Sequence, residues 1–355
     1  MTNHRLLYTS CLIFGLTLAA FAQQHEHYTY SPQQYVCLRA PSPLTIDGEL
    51  SEAAWEKAPP TALFQDIEGS IKPLPYFKTY AKMLWDDEYL YIAAELEEPH
   101  LWATYDQRDM VIFHENDFEV FIDPDGDGHH YYELEINALG TIWDLMLTRP
   151  YRDGGKALDA WDIRGLQSAV KCYGTLNDPS DKDEKWTVEL ALPWNVLEEA
   201  AAHAGPPEDG EIWRANFSRV QWQTVADSNG YKKKTDPATQ KSYPEHNWVW
   251  SPQGAIAMHQ PETWGYVQFS MEPAGKRARP QVPANEDAIR WRLWQIYYQQ
   301  KAHHEQHGAY TARPEQVGLE GEPITLSAGP DYFLARYQLG KDHFTINENG
   351  LLLKH

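Results

Sequence analysis

Between Asn116 and Asn137 the chain concentrates acidic side chains in a pattern that allows three kinds of chemistry. Asp117, Glu119, Glu133 and Glu135 fall at alternate positions of two apolar runs, Asp117–Ile122 and Tyr131–Asn137. Successive side chains of a strand point to opposite faces. Asp117, Glu119 and Phe121 therefore share one sheet face, with Phe118, Val120 and Ile122 on the other. On the second run Tyr131, Glu133, Glu135 and Asn137 share a face, opposite Tyr132, Leu134 and Ile136. One face is thus acidic and aromatic and open to water, and the other is a hydrophobic core. The first chemistry is recognition of polyhydroxylated ligands, whose pyranose C–H faces stack on rings while carboxylates and amides bond their hydroxyls. Trp143, Trp161 and Trp222 are candidate platforms, although packing or loop anchoring is the stronger reading for any one taken alone. Arg219 has the opposite parity to Trp222 and would face the core, where it needs a paired charge, so it is not taken as a ligand contact.

The second chemistry is glycoside hydrolysis, which needs two carboxyl groups astride the scissile bond, and Glu119 and Glu135 are the pair on offer. Nothing in the sequence separates an acid from a nucleophile among so many neighbouring carboxyls. The third is metal binding. Asp123, Asp125, Asp127 and Gly128 match the first half of the calcium-loop pattern, whose alternate carboxylates surround a hard cation. The twelfth position is Leu134 rather than a glutamate, and the loop joins strands, so an acidic Gly-bearing hairpin turn competes with calcium. His303 and His307 form an i,i+4 pair that reads more readily as a solvated helix face than as a metal site. There is no nucleophile elbow, phosphate loop, Cys-x-x-Cys pair or His-Glu-x-x-His zinc helix. No His/Met pair is placed for axial haem ligation.

These residues need a scaffold. The 355 residues are 42% hydrophobic, enough for a full core and about two domains. With 51 acidic against 30 basic residues the formal charge is −21, which repels nucleic acid at long range. The 14 Trp and 21 Tyr are the informative excess. Residues 1–22 read as a secretory signal, with His4 and Arg5 ahead of an apolar run and Ala20-Phe21-Ala22 at its end. Export to the periplasm or the medium after cleavage near Ala22 is expected. Too little apolar chain precedes Cys11 for a lipid-attachment signal, and no later stretch is long enough for a transmembrane segment. In an oxidising compartment Cys37 and Cys172 are open to two readings, a disulfide or two plain buried thiols.

From Leu44 to Ser270 short strand-like runs alternate with turns, the pattern of an all-β sandwich. Phe77–Trp85 and Tyr89–Leu96 form one hairpin through Asp86-Asp87, and Asp117–Ile122 and Tyr131–Asn137 form another, followed by Thr141–Thr148. Later strands are expected at Leu166–Leu176, Lys185–Leu192, Glu211–Trp222, Trp248–Trp250 and Gly265–Ser270, with a short helix at Val196–His203. Residues 149–164 and 226–247 are long polar loops, a length that usually marks function or mobility. A linker at 271–284 precedes a C-terminal extension, 285–355. In it Asn285 caps an amphipathic helix, Glu286–His307, that Gly308 stops, and strand-like runs follow at Tyr332–Leu339, Asp342–Ile346 and Leu351–Leu353. A protein partner docking on this Trp-rich helix is one expectation for the extension.

Four stretches, Leu44–Trp55, Leu84–Ala94, Asn116–Gly128 and Tyr132–Asn137, together resemble the family 9 carbohydrate-binding modules over residues 40–270. The resemblance implies an antiparallel β-sandwich of the immunoglobulin-like or jelly-roll type. It also implies glycan chain ends held between two tryptophans, charged side chains on the ring hydroxyls and calcium supporting the loops. This sequence departs from that pattern at the first tryptophan, where Phe113 stands, and at the second, which falls near Met258 or His259. Glu135 replaces a sugar-contacting arginine, and Glu119 keeps the type of a sugar-contacting glutamate. The expected protein is therefore an exported, non-catalytic carbohydrate-binding β-sandwich. Its candidate contacts are Phe113, Glu119, Glu135, Asn137, Trp143, Trp161, Trp222 and His259, with Asp123, Asp125 and Asp127 as candidate calcium ligands. A glycoside hydrolase and a protein-binding module remain the alternatives.

Overall fold

The computed structural model describes residues 29–227, 230–319 and 321–355. The expected signal segment and Cys11 lie outside these residues. The chain divides into two units. The larger is built from Pro32–Gly126 and His130–Val282, and the smaller gathers Pro283–His355, Asp127–His129 and residues 29–31.

The first half of the larger unit supplies strands β1 (Gln34–Arg39), β2 (Gln65–Asp66), β3 (Thr79–Trp85), β4 (Tyr89–Glu97), β5 (Asp117–Asp123), β6 (Tyr131–Asn137), β7 (Ile142–Leu147) and β8 (Ala157–Leu158). The second half adds β9 (Gln167–Tyr173), β10 (Lys185–Pro193), β11 (Ile212–Gln221), β12 (Thr224–Asp227), β13 (Gly230–Lys233), β14 (His246–Val249) and β15 (Gly265–Pro273). Helices α1 (Ala53–Lys57) and α2 (Trp194–Leu197) are short. The strands run in the order β8-β7-β6-β5-β11-β15-β1-β3-β4-β10-β9, with β14 and β2 extending from β11, while β12 and β13 form a separate hairpin. This is a β-sandwich. Its principal core takes Phe118, Val120, Ile122, Tyr132, Leu134 and Ile136 from one layer and Met83, Ile92, Val188 and Leu190 from the other. The period-2 pattern of β5 and β6 thus assigns the core face correctly, because a one-residue slip would turn every apolar side chain outward.

Three features depart from the expected layout. Strand β1 begins at Gln34, ahead of residue 40, and pairs in parallel with both β15 and β3, so the sheet is mixed rather than wholly antiparallel. The polar stretch 226–247 carries part of the β12–β13 hairpin. The helix after β10 is shorter than Val196–His203 and starts at Trp194. Cys37 and Cys172 are free thiols, the first buried in the core and the second donating weakly to the Ala138 carbonyl at 3.5 Å.

The Leu44–Trp55 motif covers the outer face of β3, β4 and β10. Trp55, fully buried, donates its indole N–H to Glu189 at 2.6 Å, and the same carboxylate accepts the backbone N–H groups of Asp47 and Gly48. Gly48 has φ +84°, and a Cβ there would meet the Lys171 nitrogen at 2.9 Å, which is why the turn needs glycine. Arg219 does enter the core and is paired as its parity requires. It is 1% exposed and donates to Glu98 at 3.0 Å, Thr79 at 3.0 Å and Gln221 at 2.9 Å.

In the smaller unit α3 (Ala284–His307) buries Ile289, Leu293, Ile296 and Gln300, as its periodicity predicts. Its N-cap is Pro283 rather than Asn285, and Gly308, at φ 71°, ends it. The helix packs on an antiparallel sheet ordered β16 (Ile324–Ala328), β17 (Phe333–Leu339), β18 (Asp342–Asn347) and β19 (Leu352–Lys354). Gln300, on the apolar face, is satisfied by reciprocal hydrogen bonds with the Thr311 backbone. His303 bonds the Ala309 carbonyl, and its ring lies 4.4 Å from that of His307, tilted by 45°. Among the described residues no helix is long and apolar enough to cross a membrane.

Candidate functional site

Antiparallel pairing sets Ser218 of β11, Glu119 of β5, Glu135 of β6 and Trp143 of β7 in one row across four strands. Directly opposed residues share a face, so these four side chains emerge together. The adjacent row places Asn216, Phe121, Glu133 and Leu145 side by side, and Asp117 stands opposite Val220 and Asn137. The sequence therefore brings Asp117, Glu119, Glu133 and Glu135 onto one face, as expected.

That face is not open to water, which corrects the expectation of a wettable surface. Glu119 and Glu133 are 5% exposed, Glu135 1% and Asp117 0%. Two aromatic clusters close over its ends. One joins Trp102, Val220 and Trp222 with Phe113 and Tyr231, and the other joins Phe121, Tyr131, Leu145, Leu147 and Trp264 with Trp143 and Met258. Strand parity fixes which face a residue is on but says nothing about what loops later fold across it.

The turn Ile112–His114 brings Phe113 over the row. Its backbone N–H donates to Glu135 Oε2 at 2.8 Å, and its carbonyl accepts the Trp222 indole N–H at 2.9 Å. The Phe113 and Trp143 rings lie 6.4 Å apart with planes 28° from parallel, and both are half-buried. On the other side the loop after β7 contributes Tyr151, whose ring meets His259 edge-on at 4.6 Å. The Tyr131 hydroxyl and His259 Nδ1 lie 3.0 Å apart. Phe113, Trp143 and His259 thus stand around Glu119, Glu135 and the carboxyls beside them, and Tyr151, 48% exposed, joins them from a loop whose length was its only signal in the sequence.

Three candidates take other roles. Trp161 packs on the core side of the sheet, stacked on Tyr132 at 4.9 Å with its indole N–H on Glu199, because its loop crosses to the opposite face. Asn137 is fully buried, donating to the Tyr105 carbonyl at 2.8 Å and accepting from Leu139 and Thr141, so its hydrogen-bonding groups hold a turn. Trp222 is 9% exposed and lies under Lys233, whose Nζ is 3.3 Å from the ring centroid, leaving it as support for Phe113.

Burial governs the electrostatics. It pushes the Asp117, Glu133 and Glu135 carboxyls well above the carboxylate range, and their mutual repulsion and that with Glu119 push the same way. Glu119 is raised to about 7, again chiefly by burial, with the Ser218 hydroxyl pulling part of the way back. Burial also lifts the Tyr151 hydroxyl to about 12, with Glu133, Asp159 and Glu135 adding repulsion. It lowers His259 to about 4, with Arg152 acting in the same sense, so that imidazole is neutral at pH 7. Hydrolysis needs one ionised carboxylate and one protonated acid. Here burial raises all four carboxyls, Glu119 to about 7 and the other three well above the carboxylate range.

Three acidic groupings offer oxygens to a cation. Asp123, Asp125 and Asp127 hold one oxygen each within 4.8 Å of the others along the turn. Asp123 accepts from the Gly126 N–H and Asp127 from the His129 N–H, as turn aspartates do. The donors suit a hard cation, but Leu134, at the position of the calcium loop's last ligand, is buried in the core. Asp109, Asp144 and Asp162 form a second group, bridged by Arg108. Asp117, Glu119 and Glu135 form the third.

The fold and this face define a carbohydrate-module β-sandwich. Residues 46–270 match the model of the carbohydrate family 9 binding domain-like family. The chain belongs to that family. Among solved structures it is similar to a putative carbohydrate-binding protein from Bacteroides uniformis, at 15% identity and TM-score 0.49, covering 68% of this chain and all of that one. It is also similar to a family 9 module from Caldicellulosiruptor kristjanssonii solved with cellotriose, at 15% identity and TM-score 0.41, covering 70% of this chain and all of that one. A family 9 module from Caldicellulosiruptor kristjanssonii solved with glucose matches at 16% identity and TM-score 0.40, over 70% of this chain and 99% of that one. No curated protein matches the chain.

Proposed function

We propose that this is an exported, non-catalytic glycan-binding protein acting in polysaccharide breakdown, and that it holds sugar against the ring-bearing margin of the acidic face. The observation that carries this reading is the half-buried Phe113–Trp143 pair, anchored through the Phe113 N–H to Glu135. Flat rings fixed by a buried hydrogen bond lose little entropy when a pyranose stacks on them. Tyr151 and His259 supply polar edges on the other side, and the neutral imidazole either donates or accepts. The carboxyls beneath are too buried to be the main hydroxyl acceptors, so this reading moves the contact from the sheet face to its rim. Family membership supports the ligand class. In the same reading calcium sits at the Asp123–Asp127 turn and stiffens the hairpin.

A glycan array on the mature protein, followed by calorimetry with the best ligand, tests the proposal. Binding should fall at least about fivefold in Phe113→Ala and in Trp143→Ala, since each stacked ring contributes about 1 kcal/mol or more. A blank array, or binding unchanged in both variants, refutes it. Release of reducing sugar that is abolished by Glu119→Gln would replace binding with hydrolysis.

A further inference from the structure

We propose that Asp117, Glu119 and Glu135, together with Ser218, bind one hard divalent cation, calcium in the first instance, on the buried acidic row of the sandwich. One oxygen from each carboxylate lies within 4.8 Å of the other two. Calcium holds its oxygens at about 2.3–2.6 Å, so ligands on opposite sides of one ion stand roughly 4.6–5.2 Å apart and all others stand closer. The spacing is that of a single coordination sphere.

A second observation is independent of the clustering. Asp117 Oδ2 is fully enclosed and accepts no hydrogen bond, although Oδ1 of the same carboxylate takes the Val220 N–H at 3.2 Å. Ser218 Oγ, across the ladder from Glu119, is enclosed beside that carboxylate and turned toward it. Buried polar atoms are almost always satisfied, and a fully enclosed carboxylate oxygen without a donor, on the same face as Glu119 and Glu135, points to a missing group that accepts oxygen ligands. The rest of the fold shows how such acids are otherwise handled. Asp144 meets Arg108, and Glu98 meets Arg219. Among the described residues no Lys or Arg pairs with Asp117, Glu119, Glu133 or Glu135. Carboxylates and a hydroxyl, with no sulfur or imidazole among them, select calcium or magnesium over zinc or copper. The site is separate from the Asp123–Asp127 turn, and it does not depend on the glycan reading.

The test uses the mature protein carrying Asp125→Asn and Asp127→Asn, which keep the turn's hydrogen bonds and weaken any metal there, stripped with a chelator and titrated with calcium chloride. Calcium should bind with one-to-one stoichiometry and raise the melting temperature. Adding Asp117→Asn and Glu135→Gln should abolish both effects. Ser218→Ala, which leaves every carboxylate in place, should weaken calcium roughly tenfold and keeps the test open should the double substitution fail to fold. No calcium binding to the turn-disabled protein, or binding unchanged in Ser218→Ala and in the double substitution, overturns the proposal. Glycan calorimetry with and without chelator separates the two readings. Sugar binding without any calcium effect leaves the glycan proposal standing alone, and calcium binding with a blank array leaves this one.

Discussion

Glu119 and Glu135 face each other directly across the β5–β6 ladder, both nearly fully buried, with no basic side chain among the described residues to neutralise either. Two like charges so placed destabilise a fold unless they hold protons or share a cation. That relationship sets the first expectation.

In chelated protein these carboxyls have folded pKa values above their unfolded ones, so the native state retains protons that the unfolded chain releases. Their contribution is intact below about pH 4 and is lost as pH rises through the unfolded values and then through 7, where Glu119 titrates. Urea unfolding from pH 4.5 to pH 8 should show stability falling by on the order of 3 kcal/mol for Glu119 alone. Glu119→Gln should flatten the slope, and a slope unchanged in that variant would refute the assignment.

Arg219 and Glu98 form a buried pair that the core cannot lose by halves. Arg219→Met should cost about 3–5 kcal/mol at pH 8, because it strands a buried carboxylate. The cost should shrink at pH 5, where Glu98, already raised by burial, takes up a proton instead. Equal losses at both pH values would contradict this.

Gly48 is required by its left-handed backbone and by the 2.9 Å that a Cβ would leave to Lys171 and Val170. Gly48→Ala should cost at least about 2 kcal/mol and loosen the Trp55–Glu189 hydrogen bond. A red shift of tryptophan fluorescence ahead of global unfolding would register that loosening.

Trp161 separates packing from recognition. Trp161→Ala removes a ring stacked on Tyr132 and should cost about 1–2 kcal/mol while glycan affinity stays as in the parent protein. Loss of sugar binding in a folded Trp161→Ala protein would return that ring to the site.

Calcium stoichiometry counts the two candidate metal sites. Calorimetry of the parent protein should give two ions, falling to one in Asp125→Asn/Asp127→Asn. A value that does not change on disabling the turn would leave the Asp-rich loop as an ordinary hairpin turn.

Much of this was legible in the chain. The alternation in Asp117–Ile122 and Tyr131–Asn137 identified the hairpin and the core face, and the requirement that a core-facing arginine be paired foretold a partner for Arg219. The Ile289, Leu293, Ile296, Gln300 spacing gave the buried face of α3. Trp161 and Asn137 were misplaced because parity names a face but not the path of a loop or the backbone groups that claim an amide. Strand β1 was missed because an interior parallel strand buried on both faces carries no alternation.

By itself the sequence determined the sandwich, its principal core and the gathering of four acids on one face, because strand period and cross-strand pairing are local properties of the chain. Only the tertiary structure decided that this face would be roofed by Phe113, Trp222 and the ring cluster around Trp264, since loop closure depends on contacts between residues about 100 or more positions apart. That enclosure turns a row of solvated carboxylates into a buried group that must bind protons or a cation, and it leaves Phe113, Trp143 and Tyr151 at the rim.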